Sequence, residues 1–248
     1  MDSDEFESRM RELEYFHALK MLPGTWPVIR FDGKGFSKFT EAHFEKPFDE
    51  RFGGYMVRAA EALLVALGGA YAYTESDEIS VLLPREWDLY DREVEKAVSI
   101  AAGTASAAFS LACREAAVFD ARVWLGATAD LVVDSFRWRQ ADAARCALNG
   151  WAYWTLRKGG ASVAAATRAL HEKSVAEKNE LLFANGVSFN DVPAWQRRGV
   201  GLYWEDYEKV GFDPVRKQEV KALRRRVRVD HELPMKDEYG RFVARFLG

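Results

Sequence analysis

The order in which the apolar pattern changes its period constrains this chain's fold more than any other feature. Trp26-Pro27-Val28-Ile29 is a short run of strand type. From Asp49 onward, Phe52, Met56, Ala59, Leu63 and Leu67 recur at helical spacing until Gly68-Gly69 stops them. Ala70-Tyr71-Ala72-Tyr73 and Ile79-Ser80-Val81-Leu82-Leu83 then flank Thr74-Glu75-Ser76-Asp77-Glu78 as the arms of a hairpin with carboxylates at its bend. A second helix, over about 91–115, carries Val94, Val98, Ala101, Ala105, Ala108 and Ala112, a stripe of small residues suited to close packing on a sheet. Ala121-Arg122-Val123-Trp124-Leu125-Gly126 supplies a fourth strand. Strand–helix–strand–strand–helix–strand is the split βαβ order of ferredoxin-like folds, so the fold class is α+β with a βαββαβ core.

Beyond this core the pattern turns helical, over about 134–158, 162–170 and 171–184, with Gly159-Gly160 and Asn185-Gly186 as stops. Two further strand runs, 199–204 and 223–229, flank a polar stretch around Gly211-Phe212-Asp213-Pro214 and pair as a C-terminal hairpin. The chain therefore divides between Asp130 and Asp134: residues 1–133 form the core, and 134–248 a helical region and hairpin docked on it. No Pro/Ser-rich linker separates the two.

A chain of 248 residues with 48% apolar content builds a sizeable core. Its net charge of −3 argues against nonspecific coating of nucleic acid, yet Arg224, Arg226 and Arg228 share one side of the last strand, opposite Leu223, Val227 and Val229. That side serves either as a charged edge or as a phosphate contact surface. Cys113 and Cys146 stand apart from any CxxC or His/Cys grouping and read as buried free thiols. The N-terminus is acidic and no apolar run approaches membrane-spanning length, so the expected compartment is the cytoplasm, without a membrane.

Function is legible at two strand ends. Asp32, in Arg30-Phe31-Asp32-Gly33-Lys34-Gly35-Phe36, closes the first strand, and Asp77 sits in the hairpin bend. The βαββαβ order is expected to bring the two together. Two carboxylates and the Gly33 carbonyl are hard oxygen ligands suited to two Mg²⁺ ions, and such a pair serves phosphoryl or nucleotidyl transfer. Gly33 and Gly35 let backbone N–H groups approach a triphosphate, and Lys34 adds compensating charge. Each motif also has a plainer reading: Asp-Gly as a turn, Ser-Asp-Glu as a solvated hairpin tip, and Asp49 as a helix cap. A noncatalytic RNA-binding module shares the strand order, but such modules expose aromatics on strands rather than carboxylates at strand ends.

In this order, the blocks Arg30–Phe36, Phe44-Glu45-Lys46-Pro47-Phe48-Asp49, Tyr73–Glu78, Trp138-Arg139-Gln140-Ala141-Asp142 and Glu177-Lys178-Asn179-Glu180-Leu181-Leu182-Phe183 resemble the tRNA(His) guanylyltransferase family, and particularly its branch that polymerises 3′-to-5′. The resemblance implies a polymerase-type palm, with Asp32, Gly33 and Asp77 as metal ligands and Glu78 as an adjacent essential acid. It implies nucleotide contacts from Arg30, Lys34, Gly35, Phe36, Ser37, Lys46, Asp49 and Ser76, and triphosphate contacts from Arg92 and Lys96. Arg139, Lys178 and Asn179 are the implied tRNA contacts, whereas Trp138 and Trp154 are read as core. The implied reaction activates a tRNA 5′-monophosphate with ATP, after which the 3′-hydroxyl of an incoming nucleotide, often GTP, attacks. The implied assembly is a homotetramer. Two departures stand out. Ala144-Arg145-Cys146-Ala147-Leu148-Asn149-Gly150 replaces the family's His-Ile-Asn-Asn-Leu-Tyr-Asn, and Ser37 replaces a histidine. They favour template-dependent repair of truncated tRNA 5′ ends over addition of a single G to tRNA(His), which is the alternative.

Overall fold

A computed structural model of the chain describes residues 2–213 and 216–248. Its strands are β1 (Trp26–Gly33), β2 (Tyr71–Glu75), β3 (Glu78–Leu82), β4 (Phe119–Gly126), β5 (Val200–Asp213) and β6 (Gln218–Asp230). Among the described residues they form one sheet in the order β4-β1-β3-β2-β5-β6, antiparallel throughout. The helices are α1 (Ser3–Glu12), α2 (Phe36–His43), α3 (Glu50–Ala66), α4 (Val94–Cys113), α5 (Ala129–Lys158), α6 (Val163–Leu170), α7 (Val175–Ala184), α8 (Ala194–Arg198) and α9 (Lys236–Ala244). The βαββαβ core and the C-terminal hairpin are both present.

Strand alternation gives the sheet two faces with different duties. Ile29, Phe31, Ala72, Ile79 and Val81 point toward α3 and α4 and are fully buried against Met56, Ala59, Leu63, Ala101 and Phe109. On the opposite face Val28, Tyr71, Tyr73 and Leu82 lie under Val132 and Phe136 of α5 and Tyr239 and Val243 of α9. Further along that second face the same strands carry Arg30, Asp32, Glu78 and Ser80. The apolar half anchors α5, and the charged half is left for chemistry.

Several elements depart from the sequence reading. The buried stripe of α4 is Ala97, Ala101, Ala105 and Phe109; Ala101 and Ala105 were expected, Val94 and Ala108 flank the stripe half-buried, and Ala97 and Phe109 were not anticipated. By length and composition α4 qualifies as a bilayer-spanning helix, contrary to expectation, though here this stripe packs on the sheet. Thr128 caps α5 by accepting from Leu131 N–H, so the helix begins at Ala129 and runs through the expected division at Asp130 to Asp134. Ser162 and Ser174 cap α6 and α7, the latter with a full capping box to Glu177. Cys146 is exposed and Cys113 half-buried, so neither thiol is buried as expected. Helices α1, α2, α8 and α9 had no counterpart in the sequence reading.

The C-terminal hairpin is longer than its apolar runs indicate. β2 pairs with β5 only from Val200 to Tyr203, while the β5–β6 ladder continues to Asp213 opposite Gln218. Charged rungs extend it: Arg226 and Arg228 both donate to Glu205 at 2.8 Å, and Lys221 reaches Glu208 at 2.9 Å. Arg225 stacks on Trp204, whose indole N–H donates to the Gly69 carbonyl at 2.9 Å.

Candidate active site

Two chain segments meet where the acidic motifs predicted. The Gly33 N–H donates to the Asp77 carbonyl at 3.1 Å, which ties the end of β1 to the bend between β2 and β3. Ser76 takes a positive φ of 48° there, so Glu75 and Glu78 close the bend as a pair. Asp32 stands opposite Glu78 on β3 and opposite Asp120 on β4. Gly33 is required for a packing reason, since a Cβ would fall 2.4 Å from the Phe36 ring. Its N–H, and that of Lys34, which donates to Val118 O at 2.8 Å, are both engaged. Neither is therefore available to a triphosphate, contrary to the expectation for Gly33.

Burial raises the proton affinity of Asp77, and the neighbouring charge of Asp32 raises it further. A divalent cation would relieve the repulsion that Asp77 meets from Asp32, and the oxygen ligands fit Mg²⁺. Among the described residues no group of three or more His, Cys, Asp or Glu is arranged for a metal.

Beside this pair lies an acidic cluster organised by one cation. Arg139 on α5 donates from Nε and Nη2 to the two oxygens of Glu78 at 2.6 and 2.8 Å, and to Asp142 at 3.3 Å. Its side chain is 11% exposed. Arg139 therefore faces inward, spent on carboxylates rather than open to tRNA. Glu75 is pushed up to about 8, first by burial and then by the charge of Glu78, against the pull of Arg139. Glu78 is raised by burial, with Arg139 opposing. Arg30 approaches Glu78 at 3.9 Å, and its Nε is buried with no hydrogen-bond partner. Trp138, expected in the core, is 59% exposed with the Arg139 guanidinium stacked 4.7 Å from its ring.

A cavity of about 350 Å³ opens next to Asp77, between α2, α3, α5 and α8. Of the predicted nucleotide contacts, Phe36, Ser37, Lys46, Asp49 and Ser76 line it. Asp49 caps α3, accepting from Arg51 N–H at 2.8 Å, and also accepts from Glu45 N–H and the Arg51 guanidinium; these bonds hold it down to about 2. Lys46 is lowered by burial, with the charges of Glu41 and then Asp77 opposing, and its ammonium donates to the Thr40 hydroxyl at the cavity wall. Arg30, Lys34, Gly35 and Glu78 lie outside the lining.

Arg92 and Lys96 lie at the opposite end of the sheet. Arg92 donates to the carbonyls of Met21, Leu22 and Trp87, just before β1, and Lys96 pairs with Glu93 at 3.7 Å. Lys178 and Asn179 sit on α7, where the Asn179 amide donates to Val175 O at 2.8 Å. The sequence reading missed the cavity's far wall: Trp154, Trp195, Gln196 and Gly150. Trp154 is half-buried and lines the cavity rather than the core. Trp195 lies against Gly53 of α3, where an added Cβ would approach its ring to 3.1 Å.

Models of the tRNAHis guanylyltransferase family, Thg1, and of the Thg1 C terminal domain match residues 7–127 and 130–237. The chain belongs to the tRNA(His) guanylyltransferase family. It is a nucleotidyltransferase. The tRNA(His) guanylyltransferase of Debaryomyces hansenii is 32% identical over 228 residues, covering 86% of each chain. A bacterial tRNA(His) guanylyltransferase (Thg1)-like protein in complex with GTP superposes with a TM-score of 0.76 at 26% identity, over 98% of both chains. The bacterial protein in complex with ATP also superposes at 0.76, covering 98% of this chain and 99% of that one. This family member thus shares its architecture with the bacterial Thg1-like protein over nearly its whole length.

Proposed function

We propose that this nucleotidyltransferase adds guanylate to the 5′ end of tRNA(His), with a nucleoside triphosphate seated in the cavity beside Asp77. The observation that carries the proposal is the meeting of the Asp32 and Asp77 segments next to a cavity that holds Lys46. Relatives that carry the guanylyltransferase name, and bacterial relatives that bind GTP and ATP, support it. In this reading Asp32, Asp77 and the Gly33 carbonyl hold Mg²⁺, which when bound activates the attacking hydroxyl and neutralises phosphate charge. Lys46 supplies positive charge to the phosphates from the cavity floor. Helix α2 begins at Phe36 and Ser37 on the cavity wall, where its N-terminal dipole would favour the same anion. The aromatic wall of Phe48, Trp154 and Trp195 holds the base away from water. Glu78, fixed by Arg139, orients the acidic end without itself being free to move. The tRNA 5′-monophosphate would first attack the α-phosphate of ATP and release pyrophosphate, and the GTP 3′-hydroxyl would then attack the activated 5′-phosphate and expel AMP.

A second reading, template-dependent repair of truncated tRNA 5′ ends, is favoured by one observation. Cys146 and Gly150 line the cavity in the segment where the chain departs from the family's His-Ile-Asn-Asn-Leu-Tyr-Asn. Incubation with full-length tRNA(His) and with 5′-truncated tRNAs, using each nucleoside triphosphate in turn, separates the two. Guanylate addition that ignores the opposing base supports the first, and addition that follows it supports the second. Asp32→Ala should abolish addition while leaving tRNA binding intact; undiminished addition would sink the metal assignment.

A further inference from the structure

The cavity wall on α8 contains a polar group whose orientation is fixed from behind. The indole N–H of Trp151 on α5 donates to Oε1 of Gln196 at 3.1 Å. An indole nitrogen is donor only, so the amide can take only one of its two orientations while this bond is made: the oxygen faces Trp151 and the –NH₂ turns away. Gln196 lines the cavity, and its Nε2 has no hydrogen-bond partner among the described residues. Gln196 is half-buried at the cavity wall, so a donor of preset orientation is within reach of a ligand seated there. Such a preset donor discriminates strongly, because a ligand that cannot accept leaves it unpaired.

Guanine and adenine share the N7 acceptor but differ at position 6, where guanine has a carbonyl oxygen and adenine an amino donor. We propose that Gln196, held by Trp151, is a base-reading residue that donates to the 6-oxo group of guanine and so selects a 6-oxopurine triphosphate over ATP in this cavity. The proposal rests on the reading of the cavity as the nucleotide site. It concerns only the nucleotide bound there, and leaves ATP free to act at the activation step.

Equilibrium binding of GTP, ATP and 2-aminopurine riboside triphosphate, which keeps guanine's 2-amino group but lacks its 6-oxygen, tests it. Wild-type protein should bind GTP about tenfold more tightly than the 2-aminopurine nucleotide, the loss expected when one hydrogen bond made in the bound state is missing. In Gln196→Leu the GTP affinity should fall by a similar factor and the preference should vanish. Gln196→Glu keeps an acceptor for Trp151 but offers the cavity a second acceptor, and should shift the balance toward ATP. Lys46→Ala serves as the control on the site itself, since it should weaken all three nucleotides through their shared triphosphate. If Lys46→Ala changes none of them, the cavity is not the nucleotide site. If it weakens all three while Gln196→Leu retains the preference for GTP, the role of Gln196 alone is overturned.

Discussion

Arg139→Ala should cost about 3–4 kcal/mol of folding stability at pH 8, far more than loss of a surface RNA contact. The guanidinium is nearly enclosed and bonds both oxygens of Glu78 at 2.6 and 2.8 Å. A charge pair with centres about 4 Å apart is worth about 4 kcal/mol at an effective dielectric near 20, and breaking a buried pair costs about 3–5 kcal/mol. The loss should depend on pH in a defined direction. Glu75 and Glu78 are carboxyls raised in the folded state, so their contribution is fully present below their unfolded values and is lost as pH rises through the folded ones. Removing Arg139 raises both further, so more stability is lost at pH 8, while at pH 5 Glu75 is protonated and no longer needs the cation. Urea unfolding followed by tryptophan fluorescence at the two pH values, with divalent ions chelated, measures the difference. A loss below about 1 kcal/mol at pH 8, or an equal loss at both values, would refute the view that Arg139 neutralises this cluster.

Two further perturbations probe the frame of the site. Asp49→Ala should destabilise by about 1–2 kcal/mol through loss of the α3 cap. Because Asp49 is depressed to about 2, its contribution is present above the unfolded value of 3.8 and lost as pH falls through about 2; acid titrations of wild type and variant should therefore converge there. Gly33→Ala places a methyl 2.4 Å from the Phe36 ring, and should cost about 1–3 kcal/mol in thermal melts, typical of overpacking, while lowering nucleotide addition. A variant as stable and active as wild type would show that the Phe36 ring can shift freely.

The parts of this molecule that sequence exposes are those fixed by local repetition. The apolar run that begins at Ile79 and the helical spacing from Phe52 to Leu67 depend on neighbours a few residues away, and the strand and the helix both appear there. Asp49 is likewise legible, because a cap acts on the next turn. What stayed hidden is set by distant contacts. Arg139 looks like a free cation until Glu78, 61 positions earlier, is seen to hold it. Trp195 and Gln196 belong to a helix of five residues, too short to show a period, and their role arises only from docking on Gly53 and Trp151. Phe109 on α4, absent from the expected stripe, is fully buried because its ring meets Phe119 and, far away in sequence, Phe36 and Phe52.

The shallow seam between β2 and β5 has a directional consequence for everything beyond it. Four rungs, from Tyr71 opposite Tyr203 to Thr74 opposite Val200, join the hairpin to the sheet, and the Trp204–Gly69 bond pins the point where it leaves. The ribbon continues for about ten residues of β5, a lever on the order of 30 Å at about 3.3 Å per residue. A slip of one rung at the root would turn each residue to the opposite side and invert the aim of Arg224, Arg226 and Arg228. The bearing of that arm is thus decided at its hinge, beside the strand that ends in the acidic bend, so whatever the arm grips is held at a fixed compass heading relative to Asp77.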